Sequence, residues 1–488
     1  MASVVFINPW NFHDEGVKYT AQQLQYIWHN PPLGIVLLAT ELRDAGHNVT
    51  ICDLERDLVI NGGNIETTLA NMCDLVKGVQ PDFVGVPIIS VRYLEAKRVI
   101  QLCHDIRQDT GHPFKIAVGN IHATYEPEYT IRDNPHIDAV FLGEADKSFL
   151  AWVNGKPIEQ IAGVAFWHGD KIIVSPQLDT FSLDELPFPD WNFIDVGFYS
   201  APKFVYYGRE VKPARSLDII ASRGCVYRCT FCAYNAMKPR WHSVDYIIQN
   251  IKYLLDNFPI DSLYFLDSSI GNNRQQLIGI CQAIIDQGIN KRFRWSANIR
   301  SNQVDEQLLR LMWKAGCRRL LYGFESGSQR ILDSMKKGCT VEQNEKAVQL
   351  HRKLGFPCLA SMIIGFPGET IEDLQTTLFW LRRVLPPIIG INTFVPLPGS
   401  EDYTKLKDMG QLHVTDAQIW RTIGEVNNPE SKLFTDIPAD TFWKYFEEMI
   451  TLGNESKNKT HEKPAIYHLI WSAKNLSKGL LGKFKKMI

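Results

Sequence analysis

LDIIASRGCVYRCTFCAYN, residues 217–235, decides how the rest of this chain is read. The apolar run LDIIAS (217–222) has the length and the isoleucine content of a buried strand. It delivers the chain into a loop carrying Cys225, Cys229 and Cys232, spaced C-x3-C-x2-C. Thiols this close in sequence can ligate a metal centre without closing a long loop, so the entropic cost of assembling them is small. Iron–sulfur clusters take thiolate ligands, and three of them leave one iron of a four-iron cluster without a protein ligand. Two other readings stand beside this one, a zinc site and chance. Structural zinc takes four ligands, commonly in C-x2-C pairs, and no clean partner pair occurs elsewhere in the chain.

Downstream, short apolar runs alternate with helical patterns. SLYFLD (262–267), FRWSAN (293–298), RLLYGFES (319–326), CLASMIIG (358–365) and IGINTFVP (389–396) read as strands. VDYIIQNIKYLLDNF (244–258) and VEQNEKAVQLHRKLG (341–355) read as helices between them. Six strands with intervening helices predict a partial TIM-like (β/α)6 barrel over 206–400, with its site at the C-terminal ends of the strands. Residues 401–460 read as a helical extension covering this domain. The strand ends carry Asp267 and Ser268, Arg300, Glu325 and Ser326, and Gly365 with Gly368. Helix N-termini and glycine-rich turns expose backbone N–H groups to a polar ligand. Each of these segments also reads as a plain turn or surface loop.

Upstream, residues 1–150 show the same alternation, with strands at 3–8, 48–54, 82–89, 115–120 and 138–144. Strand–helix–strand units of this kind predict a doubly wound, Rossmann-like parallel sheet. Ligands of such sheets lie beyond the carboxyl ends of the strands, here Pro9, Trp10, Ser90, Gly119, Ile121, His122, Gly143 and Glu144. No G-x-G-x-x-G follows the first strand, which disfavours a nicotinamide cofactor. Apolar, glycine-containing loops suit a broad macrocycle better. Residues 151–205 read as a linker with a hairpin turning at His168-Gly169-Asp170, followed by the proline-rich DELPFPDW (184–191).

The bulk properties exclude several classes. The chain has 488 residues, 45% of them hydrophobic and 22% charged, with a net charge of −2, so there is no electrostatic case for nucleic-acid binding. No apolar run is long enough to span a bilayer, and MASVVFINPWN reads as a first strand rather than a signal peptide. A cytoplasmic protein is expected. The other seven cysteines are scattered among apolar residues and read as small buried hydrophobes. Residues 464–488 form a basic amphipathic pattern, with five lysines and no acidic residue from Ser472 on. This suits an interfacial helix on an anionic membrane and, equally, a helix docked on the protein's own surface.

The cysteine loop resembles the signature of the radical S-adenosylmethionine (SAM) superfamily, with Phe231 before the last cysteine and Arg223-Gly224 before the first. The resemblance implies a 4Fe–4S cluster on Cys225, Cys229 and Cys232 whose open iron chelates SAM. It also implies an external one-electron reductant and SAM contacts from Phe231, Ser268, Arg300, Glu325, Ser326 and Gly365. YGFESGSQRILDSMKKGCT (322–340) and SMIIGFPGET (361–370) are similar to further segments of that family. GNIHATYEPEYT, FLGEAD and the linker ending LPFPDW resemble the cobalamin-dependent branch, which implies a cobalamin-binding N-terminal domain. NFHDEG (11–16) resembles a cobalt-ligating D-x-H-x-x-G motif, but the next helix begins some fifteen residues too late, so base-off cobalamin without His13 is expected. The implied activity is methylation of an unactivated carbon in a small-molecule or lipid substrate, such as a hopanoid. The alternatives are non-methylating radical chemistry, such as ring formation on a porphyrin, and a cobalamin sensor without catalysis. A methylthiotransferase is disfavoured because Cys52, Cys73 and Cys103 share no motif.

Overall fold

The computed structural model describes residues 1–10, 30–176, 181–201, 203–207, 210–415 and 432–460, together with 419, 420, 423, 427 and 429. His13 and the basic tail lie outside the described residues. The chain divides into two compact units. The first contains Met1–Phe198, Leu397–Gly399 and Tyr403–Glu425; the second contains Tyr199–Pro396, Ser400–Asp402 and the chain from Val426 onward. The sequence expectation had placed all of 401–460 on the barrel. The division instead assigns Tyr403–Glu425 to the first unit, where Lys407 pairs with Glu126 and Trp420 donates to the Tyr129 hydroxyl.

The first unit is built on a seven-stranded sheet. Asn48–Asp53, Ser3–Asn8, Phe83–Pro87, Lys115–Gly119 and Ala139–Phe141 lie side by side in that order, all parallel. Helices Leu33–Asp44 and Tyr93–Thr110 supply crossovers. The strands read as near-continuous apolar runs because both faces are covered. On one face Phe6, Phe141, Phe149, Trp152 and Phe166 form a continuous core, each large side chain contributing about 1.5–3 kcal/mol by burial. The hairpin expected in a linker is part of this sheet. Val164–His168 pairs antiparallel with Ala139–Phe141, and Lys171–Val174 closes the edge. Val164, Ala165 and Phe166 are buried, so a hairpin standing free of the sheet would expose that apolar surface.

The second unit carries six parallel strands in sequential order: Ser216–Ile219, Ser262–Phe265, Arg294–Ile299, Cys317–Glu325, Cys358–Ile364 and Ile388–Thr393. This is the expected partial barrel. Alternation sets which side chains face the covering helices. Tyr322 hydrogen-bonds His351 of helix Val341–Leu354 at 2.8 Å, and Phe324 packs edge-on to Trp380 of helix Ile371–Val384. Leu321, Gly323 and Glu325 therefore occupy the inner face. Helix Ala439–Thr460 packs on the last strand, with Gly453 against Ile389.

Candidate active site

The cysteine loop is clipped at its base. Ser222–Arg223 pairs antiparallel with Arg240–Trp241. Between them Gly224 sits at φ +79°, where a Cβ would lie 2.6 Å from the Lys238 carbonyl oxygen. Only glycine fits where the loop departs so close to its returning strand. Asp267, at the end of the second barrel strand, accepts from the Ala221 amide at 3.0 Å and from the Ser222 hydroxyl. Burial pushes its carboxyl up to about 6, against those hydrogen bonds. Asp267 thus anchors the loop from below. Ser268 donates to the Gly224 carbonyl at 2.7 Å, so its hydroxyl also holds the loop.

Asn272 and Arg300 both reach cysteine sulfurs. Asn272 Nδ2 lies 3.7 Å from Cys225 Sγ. Arg300, 6% exposed, donates from Nη1 to Cys229 Sγ at 3.4 Å and from Nη2 to Cys339 Sγ at 3.5 Å, with its guanidinium 3.6 Å from the Tyr227 ring centroid. Gln303 ties the two together, accepting from the Arg300 amide and donating to Asn272 Oδ1 at 3.2 Å. Burial raises the Cys232 thiol to about 11, with the neighbouring Cys229 and Cys225 adding to the shift. Among the described residues, no three His, Cys, Asp or Glu side chains converge tightly enough for a single metal ion. Three neighbouring cysteines without a fourth ligand suit a four-iron cluster with one open iron better than a four-ligand structural zinc.

Beyond the cysteines, Glu325 ends its strand at φ +62°, an unusual conformation for a side chain of that size. Its carboxylate accepts from Lys337 Nζ at 2.7 Å, and both side chains are 7% exposed. Lys337 also lies 5.7 Å from the Phe231 ring centroid. A buried ion pair next to the cysteine loop could exchange partners with the ammonium and carboxylate of an amino-acid ligand. Ser326 is committed elsewhere: its hydroxyl bonds Thr377 at 3.0 Å and accepts from the Ser328 amide. Gly365 has φ +79°, and its amide donates to Glu369 Oε2 at 2.5 Å. Glu369, 2% exposed, is pushed up to about 8 by burial.

Sequence reading missed Lys337, Asn272, Gln303 and Glu369. Lys336 and Lys337 are adjacent, and nothing local separates them. In the fold Lys336 reaches out to Glu401 while Lys337 turns inward. The Asn and Gln sit in short turns, where such residues are commonplace. Glu369 was within a quoted segment, but its burial is a tertiary fact.

In the first unit the expected residues do gather at the carboxyl ends of adjacent strands. Arg92 Nη1 donates to the Pro9 carbonyl and Nη2 pairs with buried Glu55. Trp10 is 4% exposed. Ile88 donates to the Gly119 carbonyl, and Gly143, at φ +66°, donates to Thr124. Ile121 opens the helix Ile121–Tyr125, and Glu144 is half-buried. His122 differs from the open, site-lining residue that was expected. It is fully buried, bonded through Nδ1 to Ser90 Oγ at 3.1 Å and packed against the rings of Tyr93 and Trp420. Burial lowers it to about 3, so it is neutral. Its Nδ1 is taken by Ser90, while Nε2 is buried with no hydrogen-bond partner among the described residues.

Comparison with known proteins supports both halves. The Radical SAM superfamily model matches residues 219–381 and the B12 binding domain model matches 18–153. An uncharacterized methyltransferase of Pyrococcus horikoshii is 30% identical over 379 residues, 76% of this chain and 77% of the relative. Cytidylyl-2-hydroxyethylphosphonate methyltransferase of Streptomyces wedmorensis is 27% identical, covering 76% of each chain. The anaerobic magnesium-protoporphyrin IX monomethyl ester cyclase of Cereibacter sphaeroides is 24% identical over 88% of this chain and 67% of its own. In fold, the chain is similar to the radical SAM methyltransferase TsrM from Kitasatospora setae, solved with cobalamin and a 4Fe–4S cluster. That match has a TM-score of 0.66 and 18% identity, over 84% of this chain and 78% of that one.

Proposed function

This chain belongs to the cobalamin-dependent radical SAM family, and from that premise we propose that it methylates an unactivated carbon of its substrate. It is a radical SAM enzyme, and its cofactors are a 4Fe–4S cluster, SAM and cobalamin. When bound, the cluster supplies the electron that cleaves SAM to a carbon-based radical, and cobalamin supplies a methyl group. The observation that carries the radical SAM part of the reading is the gathering of Arg300, Asn272 and the Lys337–Glu325 pair around the cysteine loop.

The chain's own residues divide the work. Cys225, Cys229 and Cys232 hold iron, and Asp267, Ser268 and Gln303 fix the loop that carries them. Glu325 is placed to accept a hydrogen bond from the amino group of SAM, and Lys337 and Arg300 to donate to its carboxylate. Phe231, beside Lys337, offers an apolar face to the adenine, and Gly365 a close backbone approach. Ser326 supports this corner through Thr377 rather than touching the ligand. Pro9, Trp10, Ser90, Gly119, Ile121, Gly143 and Glu144 form the strand-end surface for cobalamin. An external one-electron donor completes the system.

The two methyltransferase relatives, alike over three quarters of the chain, support methyl transfer. The cyclase relative supports a second reading, radical oxidation without methyl transfer. Anaerobic turnover with methyl-deuterated SAM separates them. Gain of one labelled methyl group is expected; a product that lost hydrogen or gained oxygen without label would establish the second reading.

A further inference from the structure

At the carboxyl end of strand Lys115–Gly119, one residue holds a backbone conformation that its own side chain resists. Asn120 sits at φ +81° and ψ −176°, a region occupied almost only by glycine, because a Cβ there is crowded by its own backbone. Gln80 and Leu385 also have positive φ, but both lie in the common left-handed region that ends helices. Capping does not account for the conformation of Asn120. Ordinary N-cap residues have extended backbone, and the helix that follows, Ile121–Tyr125, is five residues long. Glycine caps nearly as well as asparagine and carries no strain at positive φ, so the asparagine side chain lowers stability where it stands. Its carboxamide is oriented. Oδ1 accepts from the Ile121 amide at 2.6 Å, while Nδ2 has no hydrogen-bond partner among the described residues, and Asn120 is exposed. Beside it Ile88 and His122 are fully buried, Ile88 donating to the Gly119 carbonyl and His122 to the Ile88 carbonyl.

We propose that Asn120 is a corrinoid-binding residue whose Nδ2 donates to an oxygen of the cofactor. The inference rests on the cobalamin assignment of the first unit and adds a residue to it. Within residues 119–123 only Asn120 is exposed, so the side chain offered to a ligand at this strand end is Asn120 and not His122, two positions later. The polarity follows from the hydrogen bonds. With Oδ1 engaged, the group offered outward is a pair of N–H donors, which need acceptors. Cobalamin carries two kinds of acceptor oxygen: the carbonyls of the amide side chains around the corrin ring, and the phosphate of its nucleotide loop. A donor held in one direction binds without the cost of ordering a free side chain. That gain in affinity is set against the strain held in the backbone.

The test titrates full-length, reconstituted enzyme and its Asn120→Gly and Asn120→Asp variants anaerobically with hydroxocobalamin, and melts each protein without corrinoid. Asn120→Gly removes the strain and the donors together. It should melt at a higher temperature than the wild type, keep the same iron content and bind cobalamin about tenfold more weakly, the worth of one hydrogen bond. Asn120→Asp keeps an acceptor for the Ile121 amide and loses the donors, so it should bind at least as weakly as the glycine variant. Unchanged affinity in Asn120→Gly overturns the proposal. So does a lower melting temperature, which would make the side chain a structural cap. A wild-type enzyme that binds no corrinoid overturns the cobalamin assignment itself, and the proposal with it. A parallel titration with cobinamide, which lacks the nucleotide loop, identifies the acceptor. The difference between wild type and Asn120→Gly persists there if the acceptor is a corrin amide and vanishes if it is the phosphate.

Discussion

Lys337 Nζ lies 2.7 Å from Glu325 Oε1, and neither side chain is more than 7% exposed. A charge this deep in protein is tolerated because its partner is present, and removing one partner strands the other. Lys337→Met or Glu325→Leu alone is therefore expected to lower stability by about 3–5 kcal/mol, whereas the two combined should cost far less. Denaturant midpoints of the four proteins in the double-mutant cycle measure this. Equal losses in the single and double variants would mean the two charges do not depend on each other.

Asn272 should tune the cluster without holding it. Hydrogen bonds to cluster sulfurs help set the reduction potential, and Asn272 Nδ2 is aimed at Cys225 Sγ. With Asn272→Leu, iron content stays at the wild-type value and the midpoint potential falls, because the more negative reduced state loses a donor. Cys229→Ala, by contrast, should lose the iron. A redox titration followed by paramagnetic resonance distinguishes the two, and an unchanged potential would remove Asn272 from this role.

Glu369 makes stability depend on pH in an unusual direction for a carboxylate. Its folded value of about 8 lies above the ordinary 4.5 because burial disfavours the charge. The folded state holds the proton more tightly, so the contribution is complete below pH 4.5 and is lost as pH rises toward 8, by up to about 1.4 kcal/mol per pH unit. Glu369→Gln keeps an acceptor for the Gly365 amide and should flatten the profile between pH 5 and 8. Thermal unfolding across that range is the measurement; a parallel curve for the variant would refute it.

Neither histidine considered for cobalt is expected to ligate it. His122→Leu should leave the bound corrinoid's absorption spectrum unchanged but lower stability by about 1–3 kcal/mol, because the Ser90 hydroxyl loses its partner. His122 is held neutral, its folded value being lowered from 6.5 to about 3. The stability it contributes is full above 6.5 and is lost as pH falls toward 3, a window the variant should lack. His13→Ala should likewise keep both its corrinoid and its spectrum. A spectral shift in either variant would identify a metal–nitrogen bond.

Much of the architecture was legible because it is written in local patterns. LDIIAS, SLYFLD and CLASMIIG announce strands by composition, and their regular spacing with helices announces a barrel. The hairpin at 164–174 was found but misplaced, since pairing with Ala139–Phe141 depends on which sheet edge is open. The same limit applies to Tyr403–Glu425, whose helical pattern says nothing about which unit it joins.

By itself, the sequence determined the cysteine triplet and the two α/β sheets. Three cysteines within eight residues are a local fact, and hydrophobic periodicity is one too. Tertiary structure alone decided that Lys337 and not Lys336 meets Glu325, that Asn272 and Arg300 reach the cysteine sulfurs, and that His122 is sealed between Ser90 and Trp420. Each of these depends on burial and on contact between distant segments. A buried charge or donor is fixed by whichever partner the fold brings within hydrogen-bond reach, and no short stretch of chain specifies that partner.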